Sequence, residues 1–145
     1  MGSGWQGRVA IYAAALWWGS LAAIGFVAVP LIFANMPTPA QAGQVTARLF
    51  TAQTWVSSGC GALLLFSARA AAGPPMAWAR GAIGFVLAGV LLALLGEFAV
   101  APRIMARENL ALWHSLGSGM YLLQWLCAGV ALWKVTADVS RAGPS

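Results

Sequence analysis

The side chains of this chain best suited to chemistry are a few ionisable and polar groups inside long apolar stretches. Glu97 and His114 each lie within such a stretch, where a charged group is costly and normally faces protein rather than lipid. Beyond His114, small and polar residues recur at helical spacing and so share one helix face. That face carries Gly117, Ser118, Tyr121 and Gln124. A weaker polar face carries Thr51, Thr54, Ser58 and Gly61.

These residues predict a small polar cavity that opens outward. Its predicted lining is Glu97, Arg103, His114, Ser118, Tyr121 and Gln124. Such a set can bind the head group of a ligand or carry protons. The same side chains can instead be hydrogen bonds and one ion pair that hold the helices together, and the sequence leaves both interpretations open. We expect Glu97 to point into the bundle towards a cationic partner, because an unpartnered carboxylate in hydrocarbon costs several kcal/mol. The candidate partners are Arg48, Arg103 and His114.

The composition indicates that these groups are carried by membrane-spanning helices. Hydrophobic residues make up 61% of the 145 residues and charged residues only 8%, against about 25% charged in soluble domains. The mean hydropathy is +0.79. Four intervals nearly free of charge each supply the roughly 20 apolar residues that a spanning helix needs. We therefore predict a single all-α domain over residues 1–145, an integral membrane four-helix up-down bundle. Its predicted spans are 9–34, 46–68, 78–101 and 110–134.

The basic residues predict the orientation of the bundle. Five of them fall at one side of the predicted spans and three at the other. The larger group is Arg8, Arg69, Arg80, Lys134 and Arg141, and the smaller group is Arg48, Arg103 and Arg107. The positive-inside rule then places both termini in the cytoplasm. Because these charges flank spans, we expect the bilayer as partner, with another membrane protein or a second copy, and no nucleic acid. Arginine outnumbers lysine seven to one, which is typical of a GC-rich bacterial genome.

One apolar phrase occurs twice, 72 positions apart. The segment FVAVPLI occupies 26–32 and FAVAPRI occupies 98–104, with Leu31 replaced by Arg103. Both copies lie at the same end of helices that cross in the same direction. This arrangement predicts two helical hairpins that repeat in parallel. Chance similarity between two spans rich in alanine and valine is the alternative. We expect the outer ends of the first and third helices to pack face to face, with Pro30 and Pro102 at similar depth.

Three segments carry a likeness to a known family. They are WGSLAAIGFVAVPLIFANMP, FAVAPRIM and WHSLGSGMYLLQWL. Together they resemble the bacterial domain-of-unknown-function 4149 family, which is related to the transmembrane-protein-205-like proteins. The matching elements are Gly19, Phe26 and Pro30, then Pro102, Arg103 and Ile104, then His114, Ser118 and Gln124. The resemblance extends over nearly the whole chain. It implies an integral inner-membrane protein without an assigned reaction.

Three functions are compatible with this sequence. The leading hypothesis is a non-enzymatic inner-membrane protein that binds a partner or small ligand, or serves as an accessory subunit. The alternative is a small oligomeric transporter or proton-linked carrier that uses Glu97, Arg103 and His114. A haem enzyme is disfavoured because His114 is the only histidine, and the scattered methionines do not predict a copper site. No cofactor, metal or catalytic residue is therefore predicted.

Overall fold

The computed structural model describes residues 3–69 and 77–141, which form four long helices in up-down order. Helix α1 comprises Ser3–Ala22, the π-helical segment Ala23–Ala28 and Val29–Asn35. Helix α2 is Pro39–Arg69. Helix α3 comprises Ala77–Leu95, the π-helical segment Gly96–Val100 and Ala101–Met105. Helix α4 is Leu110–Arg141. All four are long and apolar enough to cross a bilayer. The predicted all-α four-helix membrane bundle is thus confirmed.

The helix boundaries follow local signals in the sequence. Thr38 caps the start of α2, because the backbone N–H of Gln41 donates to Thr38 Oγ1 at 3.3 Å and Pro39 occupies the first helical position. The third predicted span ended at Ala101, whereas α3 continues through Pro102 to Met105. The GPP sequence at 73–75, which we expected to end the second helix, lies outside the described residues.

Large apolar side chains cover the outside of the bundle. Six examples are Trp5, Tyr12, Leu16, Trp55, Phe66 and Trp133, all of them exposed. A surface of this kind would aggregate in water, whereas in a bilayer it contacts lipid chains of equal polarity. Together with the length of the four helices, this makes the chain a multi-pass membrane protein.

The helices form a ring in which each packs on its neighbours in sequence. Helices α1 and α3 each contact both α2 and α4, and α4 closes the ring by packing on α1. We call the end of the bundle that holds Ser3 and Arg141, the outermost described residues, the terminal end. The opposite end, with the short connections 36–38 and 106–109, is the loop end. Helices α1 and α3 therefore lie on opposite sides of the ring.

The half of the bundle at the terminal end is tightly packed. Its fully buried side chains include Trp17, Leu21, Leu64, Val86 and Val135. Glycines let the helices approach: the Trp17 ring lies over Gly89, where an added Cβ would come within 2.7 Å of the indole. Val90 packs in the same way on Gly61 of α2. This half is sealed by close packing of large side chains against glycine.

The doubled phrase produces the same backbone irregularity twice. In α1 the N–H of Val29 donates to the carbonyl of Ile24, and in α3 the N–H of Ala101 donates to Gly96. Both are five-residue π-type bonds, and each stands one position before a proline. A proline clashes with the carbonyl four residues earlier in a regular helix, and a π-type widening is one way to accommodate it. The two copies thus share their local structure as well as their sequence.

The expected face-to-face packing of these two segments is wrong. The loop-end segments of α1 and α3 make their main contacts with α2 and α4, not with each other. They stand on opposite walls of a cavity, to which Phe26 and Phe33 contribute from α1 and Glu97 and Ile104 from α3. The ring arrangement explains the difference, because helices of the same direction occupy diagonal positions in it.

Candidate functional site

The loop-end half of the bundle encloses a cavity of about 870 Å³, lined by residues of all four helices. We call it the loop-end cavity. It extends from the ends of the helices down to Leu92, Ala93 and Gln124. Its lining is mainly apolar and aromatic, with polar groups at several depths. The polar lining residues are Gln44, Thr46, Gln53, Thr54, Glu97, Arg107, His114, Ser118, Tyr121 and Gln124.

The floor of the cavity is a buried hydrogen-bond network that joins three helices. Gln53 Nε2 donates to Ser20 Oγ on α1 at 2.9 Å and to Ser57 Oγ at 3.3 Å. Gln124 Nε2 on α4 donates to the same Ser57 Oγ at 2.8 Å. Both amide hydrogens of Gln53 are therefore engaged. Its Oε1 has no hydrogen-bond partner among the described residues, although the side chain is only 3% exposed.

One wall is closed by an aromatic side chain of α4 that reaches α1. The Tyr121 ring lies against Gly25, where an added Cβ would come within 2.5 Å of the ring. Its hydroxyl donates to the carbonyl of Leu21 at 2.8 Å, within the stretch of α1 that precedes Pro30. The Tyr121 ring also meets Phe50 edge to face, with centroids 5.1 Å apart. A hydroxyl from a neighbouring helix thus donates to a carbonyl that lies just before the irregular segment of α1.

The opposite wall carries the acidic group. Thr51 Oγ1 donates to Glu97 Oε1 at 2.8 Å and also lies 3.2 Å from the carbonyl oxygen of Ala47. Thr51 is exposed and Glu97 half-buried, so the pair lies at the seam between α2 and α3. Among the described residues, no cationic side chain lies within 4 Å of this carboxylate. The expected pairing with Arg48, Arg103 or His114 is therefore wrong, because the group that reaches Glu97 is a hydroxyl.

The basic groups lie nearer the mouth. His114 and Arg107 both line the cavity and are exposed, and Arg107 belongs to the turn between α3 and α4 with a left-handed φ of 56°. Arg103 does not line the cavity. It faces outward, 3.9 Å from Glu108 and 4.6 Å from the centre of the Trp113 ring. Continuation of α3 past Pro102 gives Arg103 this outward direction.

Five of the six predicted site residues thus line one cavity, and Arg103 does not. The prediction missed Thr46, Gln53 and Arg107, which also line it, and Thr51, which holds Glu97. Thr51 and Thr54 belonged to the weaker polar face on α2. Gln53 and Ser57 are spaced as neighbours on a helix, and that spacing was the available signal for the buried network.

No group of three or more histidine, cysteine, aspartate or glutamate side chains is close enough to hold a metal ion in the described parts of the chain. The hydroxyls and amides of the loop-end cavity are groups that can form hydrogen bonds, and Glu97 adds a carboxyl group to its largely apolar lining.

The comparisons with known proteins give one match. A family model described as a domain of unknown function (DUF4149) matches residues 12–111. The matched region includes α2, α3 and most of α1, and with them Glu97 and Arg103. It ends before His114. Neither the comparison with curated proteins nor the comparison with solved structures gives a match.

Proposed function

The chain belongs to the domain-of-unknown-function 4149 family, and we propose that it is a non-enzymatic protein of the bacterial inner membrane that binds a small amphipathic ligand in the loop-end cavity. The observation that carries the proposal is the contrast between the two halves of one bundle. The core of one half is filled by fully buried side chains, and the other half contains an open cavity of about 870 Å³ lined by apolar and polar groups. A cavity of this size and lining suits a small molecule with an apolar body and a polar head.

The proposed orientation has the terminal end in the cytoplasm. Arg8, Arg69, Arg80 and Lys134 belong to that end and support it through the positive-inside rule. The loop-end cavity would then open towards the periplasmic side. An alkaline phosphatase fusion at the C-terminus should be inactive, and a highly active fusion would refute the orientation.

A carrier that uses Glu97, Arg103 and His114 receives less support. Arg103 lies outside the cavity, paired with Glu108, so the three groups do not form one relay. In the terminal half, the fully buried side chains of Trp17 and Leu64 occupy the core, where a carrier would need a path for its substrate. We also propose a second copy of the chain or another membrane protein as a partner, which would respond to ligand binding in the cavity.

The binding proposal can be tested with N-phenyl-1-naphthylamine, an uncharged fluorescent probe, and protein in phosphatidylcholine nanodiscs. Energy transfer from tryptophan to the probe should rise and saturate at one probe per protein. Gly43→Trp should remove the saturable part, because Gly43 lines the cavity and has free space around it that the indole would fill.

The matched control is Gly59→Trp. Gly59 is on the same helix, has the same free space, is exposed and does not line the cavity. Both variants add one tryptophan, so their background transfer is comparable. Equal saturable binding by the two variants, or none by the parent, would contradict the proposal.

A further inference from the structure

Several polar side chains of the loop-end cavity already donate their hydrogens to the protein itself, although the Thr46 hydroxyl has no hydrogen-bond partner among the described residues. The hydroxyl of Thr54 donates to the carbonyl of Phe50 at 3.0 Å, and that of Tyr121 donates to Leu21. The amide hydrogens of Gln53 are engaged with Ser20 and Ser57. In the deep part of the cavity, these side chains therefore already donate their hydrogen bonds to other groups of the protein. What they retain is acceptor capacity.

Two acceptors in particular lack donors. Glu97 Oε1 accepts from Thr51, whereas Oε2 has no hydrogen-bond partner within the described ranges. At the floor, Gln53 Oε1 is buried with no donor among the described residues, which is unfavourable for an acceptor. A ligand that donates hydrogen bonds would complement these two acceptors.

The charge of the cavity changes with depth. Arg107 lies in the turn at the mouth, and His114 lies about one helical turn below the start of α4. Glu97 stands eight positions before the end of α3, about two turns deep. The basic groups of the lining are thus nearer the mouth, and the deeper part holds a carboxylate with no cationic side chain of the described residues within 4 Å. A carboxylate in such a place is most stable next to a positive charge.

Aromatic rings surround the same space. Phe26, Phe33, Phe50 and Tyr121 all contribute to the lining. Aromatic faces attract ammonium groups and also accept apolar chains, so they suit both parts of a cationic amphiphile.

We propose that the ligand of the loop-end cavity is an amphipathic organic cation, whose N–H-bearing ammonium group binds to Glu97 while its apolar part packs on the aromatic lining. This inference rests on the proposed function, since it names the ligand class of the same cavity. Glu97 is then a binding residue, and Thr51 holds its carboxylate in place.

The test is competition against N-phenyl-1-naphthylamine in phosphatidylcholine nanodiscs by three compounds with one chain length. They are dodecylamine, dodecan-1-ol and dodecanoate. The parent protein should release the probe at amine concentrations about tenfold or more below those of the alcohol, with dodecanoate weakest, because a charge-assisted hydrogen bond is about twice as strong as a neutral one. Glu97→Gln should abolish the preference for amine over alcohol. The amine-to-alcohol ratio is taken within each variant, so it does not depend on how tightly that variant binds the probe.

Glu108→Gln is the control for general surface charge. Glu108 is the acid paired with Arg103 outside the cavity, and its replacement should leave the preference unchanged. Partitioning into the nanodiscs is the same for all variants, so a change in the amine-to-alcohol ratio reports the cavity. Equal displacement by amine and alcohol in the parent, or a preference that survives Glu97→Gln, would overturn the inference while probe binding stands. Absence of saturable probe binding by the parent would instead overturn the proposed function and the inference with it.

Discussion

The two copies of the doubled phrase share one backbone irregularity but differ in their chemical roles. Both contain a five-residue π-type bond one position before a proline, Val29 to Ile24 in α1 and Ala101 to Gly96 in α3. At the same offset Gly25 corresponds to Glu97. Gly25 admits the Tyr121 ring and closes the contact between α1 and α4, whereas Glu97 stands at the seam between α2 and α3 and lines the cavity. The same irregular backbone thus carries a glycine in α1, which allows close contact with α4, and a glutamate in α3, which adds a carboxyl group to the cavity lining.

The largest loss of stability is expected when a side chain is added at Gly25, the position of α1 that corresponds to Glu97 in α3. Gly25→Ala places a methyl group 2.5 Å from the Tyr121 ring, and the overpacking should cost about 1–3 kcal/mol relative to Gly19→Ala. Gly19 is on the same helix and has no atom within 4 Å of an added Cβ, so alanine there is tolerated. Thermal unfolding in mild detergent should rank Gly25→Ala below Gly19→Ala. Equal melting temperatures would show that Tyr121 does not close this wall.

A smaller loss of stability is expected when only the hydrogen bond between Tyr121 and the Leu21 carbonyl of α1 is removed. Tyr121→Phe retains the ring but deprives the Leu21 carbonyl of its donor, with an expected loss of about 1 kcal/mol. Tyr12→Phe is the control, because Tyr12 is 74% exposed on the outside of the bundle. The two variants are compared by thermal unfolding in the same detergent. A loss shared equally by both would remove the assigned role of the Tyr121 hydroxyl.

The smallest effect on stability is expected when the α3 copy of the doubled phrase is made more like the α1 copy. Arg103→Leu restores the residue type of position 31 and removes an exposed ion pair and the Trp113 contact, so stability should change by less than about 1 kcal/mol. Saturation by N-phenyl-1-naphthylamine should be unchanged, because Arg103 does not line the cavity. A variant that loses probe binding would return Arg103 to the site and revive the carrier hypothesis.

The sequence was sufficient for the architecture because charges are scarce in it. The gaps between Arg8, Arg48 and the later charged residues mark four spans, and Thr38 with Pro39 marks the start of α2. The repeat of Pro30 at Pro102 coincides with two matching irregular segments in the structure. Their π character was not foreseen, because it depends on how the backbone around each proline relaxes.

The site was only partly predictable, because helical spacing assigns residues to a face but does not say what that face meets. The polar face of α4 was found from its spacing, and Ser118, Tyr121 and Gln124 line the cavity as expected. Arg103 was misplaced because its direction depends on the continuation of α3 through Pro102. The cavity itself results from the absence of packing between α1 and α3 at the loop end, and no periodicity in the sequence reports an empty volume.

The buried network at the floor has a consequence for how the chain is made. Ser20 and Gln53 belong to the first hairpin and can meet as soon as two spans are inserted, whereas Gln124 follows Ser57 by 67 positions and reaches the membrane last. Until α4 arrives, the second span exposes unfinished polar groups to lipid, at a free-energy cost that favours capture of the fourth span. A nascent chain that stops before α4 therefore retains a polar patch in the bilayer.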